Sequence, residues 1–491
     1  MRFPSPDLVR RALSGHAAIG LLAGGLLYLI CLSGTIVVLR EELQRWEQPN
    51  IAETLSISPE ALQTAAATVL ASETGKKPTE HFYIHLPNDA LPRTVVTTDN
   101  QAVYVDPTGA IAGKEAHGWT EFLINLHVYL HVPGTLGLTI VGALGVMMAA
   151  LTLGGVLAHP RIFRDAFRLR ARGQRQLALA DWHNRLGVWT LPFGLALALT
   201  GAMIGLSGVG FYAMATKWHG GDIEKAYAPL FGGEPAHDDR KAPLANIAAA
   251  MTNLKAMQPE VQPSYVVIHE PGTRGQYLTI LAKHPRRLIY GETYAFTADG
   301  RPTHKVGLSN GPIGKQFAAS TYDLHFGSFG GLPVRLIYVL LGAAVTIICG
   351  TGMSIWLVKR RQRGRASPRL EAMWATVIWG SPALMMAALV QRALFGAEAP
   401  MVALFWLGLA LMMGAAIIVP RAEVWARSLR LALGAAMVVA GVVHAATIES
   451  GIAALYLIDA SLVLGGAAFL WPAISRLARA RTTEPEFAPA E

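Results

Sequence analysis

The chain has 491 residues, 52% of them hydrophobic and only 15% charged, with a formal net charge of +9. Its mean hydropathy of +0.36 excludes an ordinary soluble domain and places it among polytopic membrane proteins. Its two cysteines, Cys31 and Cys349, both sit inside apolar runs and form no C-x-x-C pair, which argues against a disulfide framework or a thiolate metal site.

The first apolar run, 17–39, is long enough to cross a bilayer, which takes about 20 mostly apolar residues. It is too long for a signal-peptide core and has no well-placed small-x-small cleavage site, so it is expected to be retained. His16, Gly20, Ser33 and Gly34 mark it. A long polar insertion follows. In it, Ser58-Pro59-Glu60 starts a helical stretch to about Ser72, with proline in the first turn. The runs His81–Leu86, Arg93–Thr98 and Gln101–Val105 read as strands, closed by the turn Asp106-Pro107-Thr108-Gly109.

Leu126-His127 precedes a second span at 134–158, and a third follows at 184–208. Its His183, Gly187, Thr200 and Gly201 repeat the first spacing, His-x3-Gly-x12-[Ser/Thr]-Gly. The second insertion repeats the first in outline. Pro243–Met257 reads as helix, Tyr265–His269, Gln276–Leu281 and Leu288–Phe296 as strands, and Ala298-Asp299-Gly300 as a turn. Leu324-His325 precedes the fourth span, 334–358. Gly154 follows His127, and Gly352 follows His325, by the same 27 residues. Four further spans, 372–392, 400–420, 430–448 and 452–475, lie outside this repeat.

Lys and Arg set the orientation. Clusters occur at Arg2, Arg10 and Arg11; at Arg161, Arg164, Arg168, Arg170, Arg172 and Arg175; and at Lys359, Arg360, Arg361, Arg363, Arg365 and Arg369. Others are Arg421, Arg427 and Arg430, and Arg476, Arg479 and Arg481. All fall on one side if both termini are cytoplasmic. The basic charge therefore reads as topology and not as nucleic-acid binding. The expected fold is an all-α polytopic membrane protein of about eight helices, the first four a tandem repeat, with two small α+β insertions outside. The expected boundaries are helix 1 within 1–40, insertion 41–126, helix 2 within 127–160, loop 161–182 and helix 3 within 183–208. Then come insertion 209–324, helix 4 within 325–360, loop 361–371, a four-helix extension 372–478 and a tail 479–491.

By this topology His16 and His183 lie at the inner face, and His127 and His325 at the outer face. Ionisable groups at membrane depth are costly and mark function. Two imidazoles facing each other across a bundle core suit a six-coordinate haem iron. Eighteen residues of helix rise about 27 Å. Gly34 and Gly201 therefore reach the level of His127 and His325, and Gly154 and Gly352 that of His16 and His183. Glycine there lets a flat macrocycle approach the backbone, although membrane glycines also serve plain helix packing. A non-haem metal is the alternative, since His127 and His131 stand i, i+4 on one face, a spacing that also suits Zn or Cu. No Cys, Asp or Glu joins that set in the membrane. His131 has no counterpart near His325, where Phe329 stands, and His159 precedes Pro160 on the inner side. Both rank as alternative ligands behind the repeated four.

Leu126-His127 with Gly154, the run Asp181-Trp182-His183-Asn184-Arg185-Leu186-Gly187, and Leu324-His325-Phe326-Gly327 with Thr351-Gly352 resemble the PepSY-associated transmembrane helix family over about 1–365. The resemblance implies periplasmic PepSY modules for the two insertions and a bacterial inner-membrane location. It implies two b-type haems on His16, His127, His183 and His325, and electron delivery to a ferric siderophore or other periplasmic Fe(III) complex. His16 departs from the family's Leu-His-Arg-type context, standing in Ser-Gly-His-Ala. Reduction weakens iron's hold on hard oxygen donors. No G-x-G-x-x-G follows a strand, and no soluble cytoplasmic domain is legible that would bind NAD(P)H or flavin, so a separate reductase or quinol is expected as electron donor. The acceptor site is not legible; His117 and Trp119, just before His127, are candidates for the outer haem edge. Two rivals remain. One is a non-redox siderophore or metal permease, favoured by the four extra helices and by His444 and Asp459 within them. The other is a membrane-tethered PepSY binding or regulatory protein.

Overall fold

A computed structural model describes residues 4–482 apart from 165, 168–174, 234–236, 286, 290, 420 and 448–450. Arg2, Arg168, Arg170, Arg172 and the last nine residues of the expected tail, 483–491, lie outside the described residues. Among those described, eight helical spans are long and apolar enough to cross a membrane. The chain is a multi-pass membrane protein.

Helix α1 (Pro6–Val37) is one continuous span. Ser5 caps it by accepting from Leu8 N, with Pro6 pre-set for the first turn. A short α2 (Arg40–Glu47) turns away from it. The first insertion folds as α3 (Pro59–Ser72), β1 (His81–His85), β2 (Thr94–Thr97), β3 (Ala102–Val105) and β4 (Ile111–Lys114). Helix α4 (Gly118–Tyr129) leads into the span α5 (Gly134–Ala158).

The third span differs from the sequence expectation of one helix over 184–208. Helix α6 (Arg175–Trp189) stops, and α7 (Leu191–Trp218) starts after Thr190 with Pro192 in its first turn. Proline lacks an N–H and cannot continue the preceding ladder, but it suits a helix start. His183 therefore sits on α6, not on the span itself, and α7 runs ten residues further than expected. After α8 (Ile223–Phe231), the second insertion gives α9 (Ile247–Met257), β5 (Gln262–His269), β6 (Tyr277–Lys283), β7 (Glu292–Phe296) and β8 (Pro302–Val306). Asn246 caps α9, so this helix begins four residues later than Pro243. Helix α10 (Ile313–Phe326) then precedes the span α11 (Gly331–Gln362).

The two insertions do not form separate units. They join in one eight-stranded antiparallel sheet of order β4-β3-β2-β1-β5-β6-β7-β8. The seam is the β1–β5 pair, from His81↔His269 to His85↔Tyr265. Helices α3 and α9 cover one face, burying Leu62, Ala66, Val69, Ile247 and Leu254 against Phe82, Ile84, Val266 and Ile268. Strands β4 and β8 were not legible in the sequence, one being Ile-Ala-Gly-Lys with a small, glycine-containing middle and the other mostly polar. Each is entered through a turn whose glycine has positive φ, Gly109 at 88° and Gly300 at 83°. A Cβ on Gly109 would stand 2.4 Å from Ala61 O, and on Gly300 2.6 Å from Ala249 Cβ. Both turns thus press on the covering helices with no room for a side chain.

Spans α5 and α7 cross through small residues. A Cβ on Gly142 would lie 2.7 Å from the carbonyl carbon of Gly205, and one on Gly145 2.9 Å from Ala202 N. Span α1 packs against α5 and α11, and Cys31 and Cys349 meet there as free thiols with Sγ atoms 3.8 Å apart. The last spans are α12 (Pro368–Ala375) continued by a π turn (Thr376–Gly380) into α13 (Ser381–Phe395), then α14 (Met401–Ile418), α15 (Ala422–Thr447) and α16 (Tyr456–Thr482). They dock on the α1 and α4 side, where Tyr28 donates to Ile378 O at 2.8 Å and Trp119 Nε1 to Met385 O at 2.9 Å.

Candidate functional site

Four imidazoles meet in two pairs inside the core of α1, α5, α7 and α11. His16 on α1 faces His183 on α6, with ring centroids 6.2 Å apart. His127 on α4 faces His325 on α10, with centroids 6.1 Å apart. His16 and Gly34 are 18 residues apart on α1, and Gly34 abuts His127, so the two pairs lie about 27 Å apart along the bundle.

Each ring is held by its Nδ1. His16 Nδ1 lies 2.9 Å from Leu151 O, His127 Nδ1 3.0 Å from Ile30 O, and His183 Nδ1 3.1 Å from Ile348 O. His325 Nδ1 lies 3.0 Å from Thr200 Oγ1, whose own proton goes to Ala196 O at 2.7 Å. Likewise Thr351 Oγ1 donates to Ile347 O and stands 3.1 Å from His183 Nδ1. A carbonyl only accepts, and a hydroxyl that has donated its proton also accepts. Each Nδ1 therefore carries the hydrogen, and each Nε2 keeps its lone pair. This arrangement orients metal-binding histidines and raises their basicity.

The spacing fits a single metal between each pair. Two metal–imidazole bonds of about 2.0–2.1 Å, with roughly 1.1 Å from each nitrogen to its ring centre, would need ring centroids about 6.3 Å apart. The observed 6.2 and 6.1 Å match. Two paired imidazoles, each with a free Nε2 lone pair, could hold an iron whose remaining positions a macrocycle would fill. Among the described residues no group of three or more His, Cys, Asp or Glu gathers to hold a bare ion.

The glycines lie beside the histidines. A Cβ on Gly34 would stand 2.6 Å from His127 Cε1, and one on Gly201 2.9 Å from His325 Cε1. At the other level, a Cβ on Gly352 would stand 3.4 Å from His183 Cε1. On the α5 side that contact belongs to Gly155, 3.4 Å from His16 Cε1, while Gly154 reaches His16 only at 3.8 Å. Sequence counting missed Gly155 by one position. Helix α4 ends in the left-handed residue Leu130, three after His127, and α10 ends in left-handed Gly327, two after His325. Counted from those caps, Gly155 and Gly352 are equivalent.

His131 is engaged elsewhere. Its Nε2 lies 2.9 Å from Phe122 O, and its Nδ1 accepts from Trp406 Nε1 at 3.0 Å. With both nitrogens committed it offers no lone pair to a metal. His159 is the C-cap of α5, its backbone N–H on Val156 O. His444 and Asp459 do meet, with Nδ1 2.9 Å from Oδ1 and both side chains buried. Trp46, which the sequence did not single out, stacks on His444 with centroids 3.7 Å apart and donates Nε1 to Asp459 at 3.2 Å.

His117 is buried just before α4, with Nε2 3.0 Å from Glu115 Oε1 and Nδ1 3.7 Å from Glu121 Oε1. Burial alone would lower its pKa, but the Glu115 contact and the charges of Glu115, Glu121 and Glu47 outweigh this and hold it above 6.5. A raised folded value means that the stabilisation is full below about pH 6.5 and fades as pH rises through the folded pKa. The thermal-stability advantage of wild type over His117→Gln is therefore expected to shrink as pH climbs above 6.5. Melting of both proteins in detergent across neutral pH checks this; a constant difference refutes it.

The sequence model of the PepSY-associated TM region matches residues 13–359, from α1 through nearly all of α11. An uncharacterized protein of Pseudomonas aeruginosa is 27% identical over 273 residues, covering 51% of this chain and 66% of that protein. The chain thus spans just under two thirds of the length of that curated relative. Spans α12–α16 lie beyond the matched region.

Proposed function

We propose, since this chain belongs to the family of the PepSY-associated TM region, that it is a di-haem b oxidoreductase of the bacterial inner membrane that reduces a periplasmic Fe(III)-siderophore and so releases its iron. The observation that carries this reading is the pair of imidazole couples, with ring centroids 6.2 and 6.1 Å apart and each Nδ1 donated away. His16 with His183 and His127 with His325 would hold one haem each. When bound, the haems supply one-electron chemistry between Fe(III) and Fe(II).

The protein's part is positional. Leu151, Ile30, Ile348 and Thr200 fix the four ring orientations, so little reorganisation accompanies a change of charge between the rings. Gly34 and Gly201 keep the backbone close to the imidazoles of one pair, and Gly155 and Gly352 to those of the other. Lys359, Arg360 and Arg361 fall at the end of α11 remote from the sheet, which supports cytoplasmic termini and a periplasmic sheet. The mirrored strand order supports a tandem repeat with two PepSY modules. Electrons would enter at the His16–His183 end from a separate cytoplasmic reductase or from quinol.

The test is a spectrum. Protein purified from haem-sufficient cells should be coloured and show a b-type α-band on dithionite reduction, bleached by an added ferric siderophore. A colourless preparation overturns the reading. The buried His444–Asp459 pair favours a permease as the second reading, and siderophore uptake by haem-free protein would support it.

A further inference from the structure

Helices α12–α16 lie outside the family region, yet they grip α4 at both ends. At its start, Glu47 accepts from Trp119 N at 3.0 Å and from Thr120 N at 2.7 Å. Arg392 of α13 pairs with that carboxylate at 2.8 Å and donates to Ala116 O at 2.9 Å. Gly118 abuts the C-terminal bundle so closely that a Cβ there would stand 2.0 Å from Ala397 O. At the other end, Trp406 of α14 donates to His131, whose opposite nitrogen is on Phe122 O.

That second grip sits on a strained turn. Leu130 and His131 both have left-handed backbones, φ 52° and 57°, a conformation that non-glycine residues adopt singly at most and at a cost. Helix α10 solves the same problem with Gly327, φ 68°, where glycine pays no Cβ penalty. It also leaves Ile313 and Phe317 of its outer side 86% and 57% exposed. The two halves therefore hold their imidazoles by different means: α10 by a glycine cap, α4 by an external hydrogen bond on a strained cap.

We propose that Trp406 and Arg392 are positioning residues for the His127–His325 pair, and that the C-terminal extension serves to set His127 through α4. The haem readout of this proposal rests on the function proposed above; the backbone readout does not. Trp406 acts through His131, four residues after His127 and just past the end of α4, and touches neither imidazole of the pair.

The test uses full-length Trp406→Phe, which keeps an aromatic ring and removes its N–H. Loss of one hydrogen bond on a strained turn should raise amide exchange in α4 about fivefold and leave α10 unchanged. In haem-loaded protein the midpoint potential and spectrum of one haem should shift while the other stays at its wild-type value. Wild-type exchange in α4, or equal acceleration in α10, overturns the proposal. A haem-free wild-type protein overturns the functional reading instead, and the exchange comparison still decides the clamp.

Discussion

On the proposed di-haem reading, replacing His325 with alanine is expected to cut haem content to about half, with the far-side haem retained, because each iron would be held by the two imidazoles of one pair. His127 alone would then offer one nitrogen across a gap that Gly201 leaves open. The other pair, about 27 Å away along α1, shares no residue with it. His183→Ala should give the complementary loss. Haem-to-protein stoichiometry, with potentiometric titration to identify the surviving haem, measures the effect. Full stoichiometry in both variants would mean that the iron is held elsewhere.

The largest effect on stability is expected from Glu47→Ala. Glu47 is fully buried and Arg392 is 12% exposed at its side chain. The carboxylate accepts from Arg392 Nε, Trp119 N, Thr120 N and Thr120 Oγ1. Removing it strands a buried guanidinium and uncaps α4 together, which costs about 3–5 kcal/mol. Arg392→Met in the Glu47→Ala background should recover part of that loss, because the stranded charge goes with it. Denaturant unfolding in detergent checks both. A single-variant loss below about 1 kcal/mol would place this pair with exposed ion pairs.

The eight spans were legible because bilayer thickness dictates length and hydropathy, and the structure changes their ends more than their number. The four histidines were legible because a spacing repeats. Three things were not. The joining of the insertions depends on β1 and β5, about 180 residues apart, and no local pattern says which edge meets which. The break before Leu191 needed Pro192 to be read as a helix start within an apolar run. Gly155 was hidden because counting ran from the histidines and not from the left-handed caps at Leu130 and Gly327. Trp46 and Trp406 illustrate a general limit. Each acts on a residue hundreds of positions away, and an apolar span shows which residues face lipid only once its neighbours are placed.

The β1–β5 seam has a consequence for biogenesis. His16 and His183 are both available once the third span is made, but the sheet cannot close until β5 has been made and has found β1. His325 emerges later still. Synthesis runs from the N-terminus and long-range strand pairing is slow, so the first insertion waits with an open β1 edge, and the far-side pair is complete only when α11 brings Ile348 to His183. During that interval the edge is an open template for strand pairing, and the second insertion is what covers it.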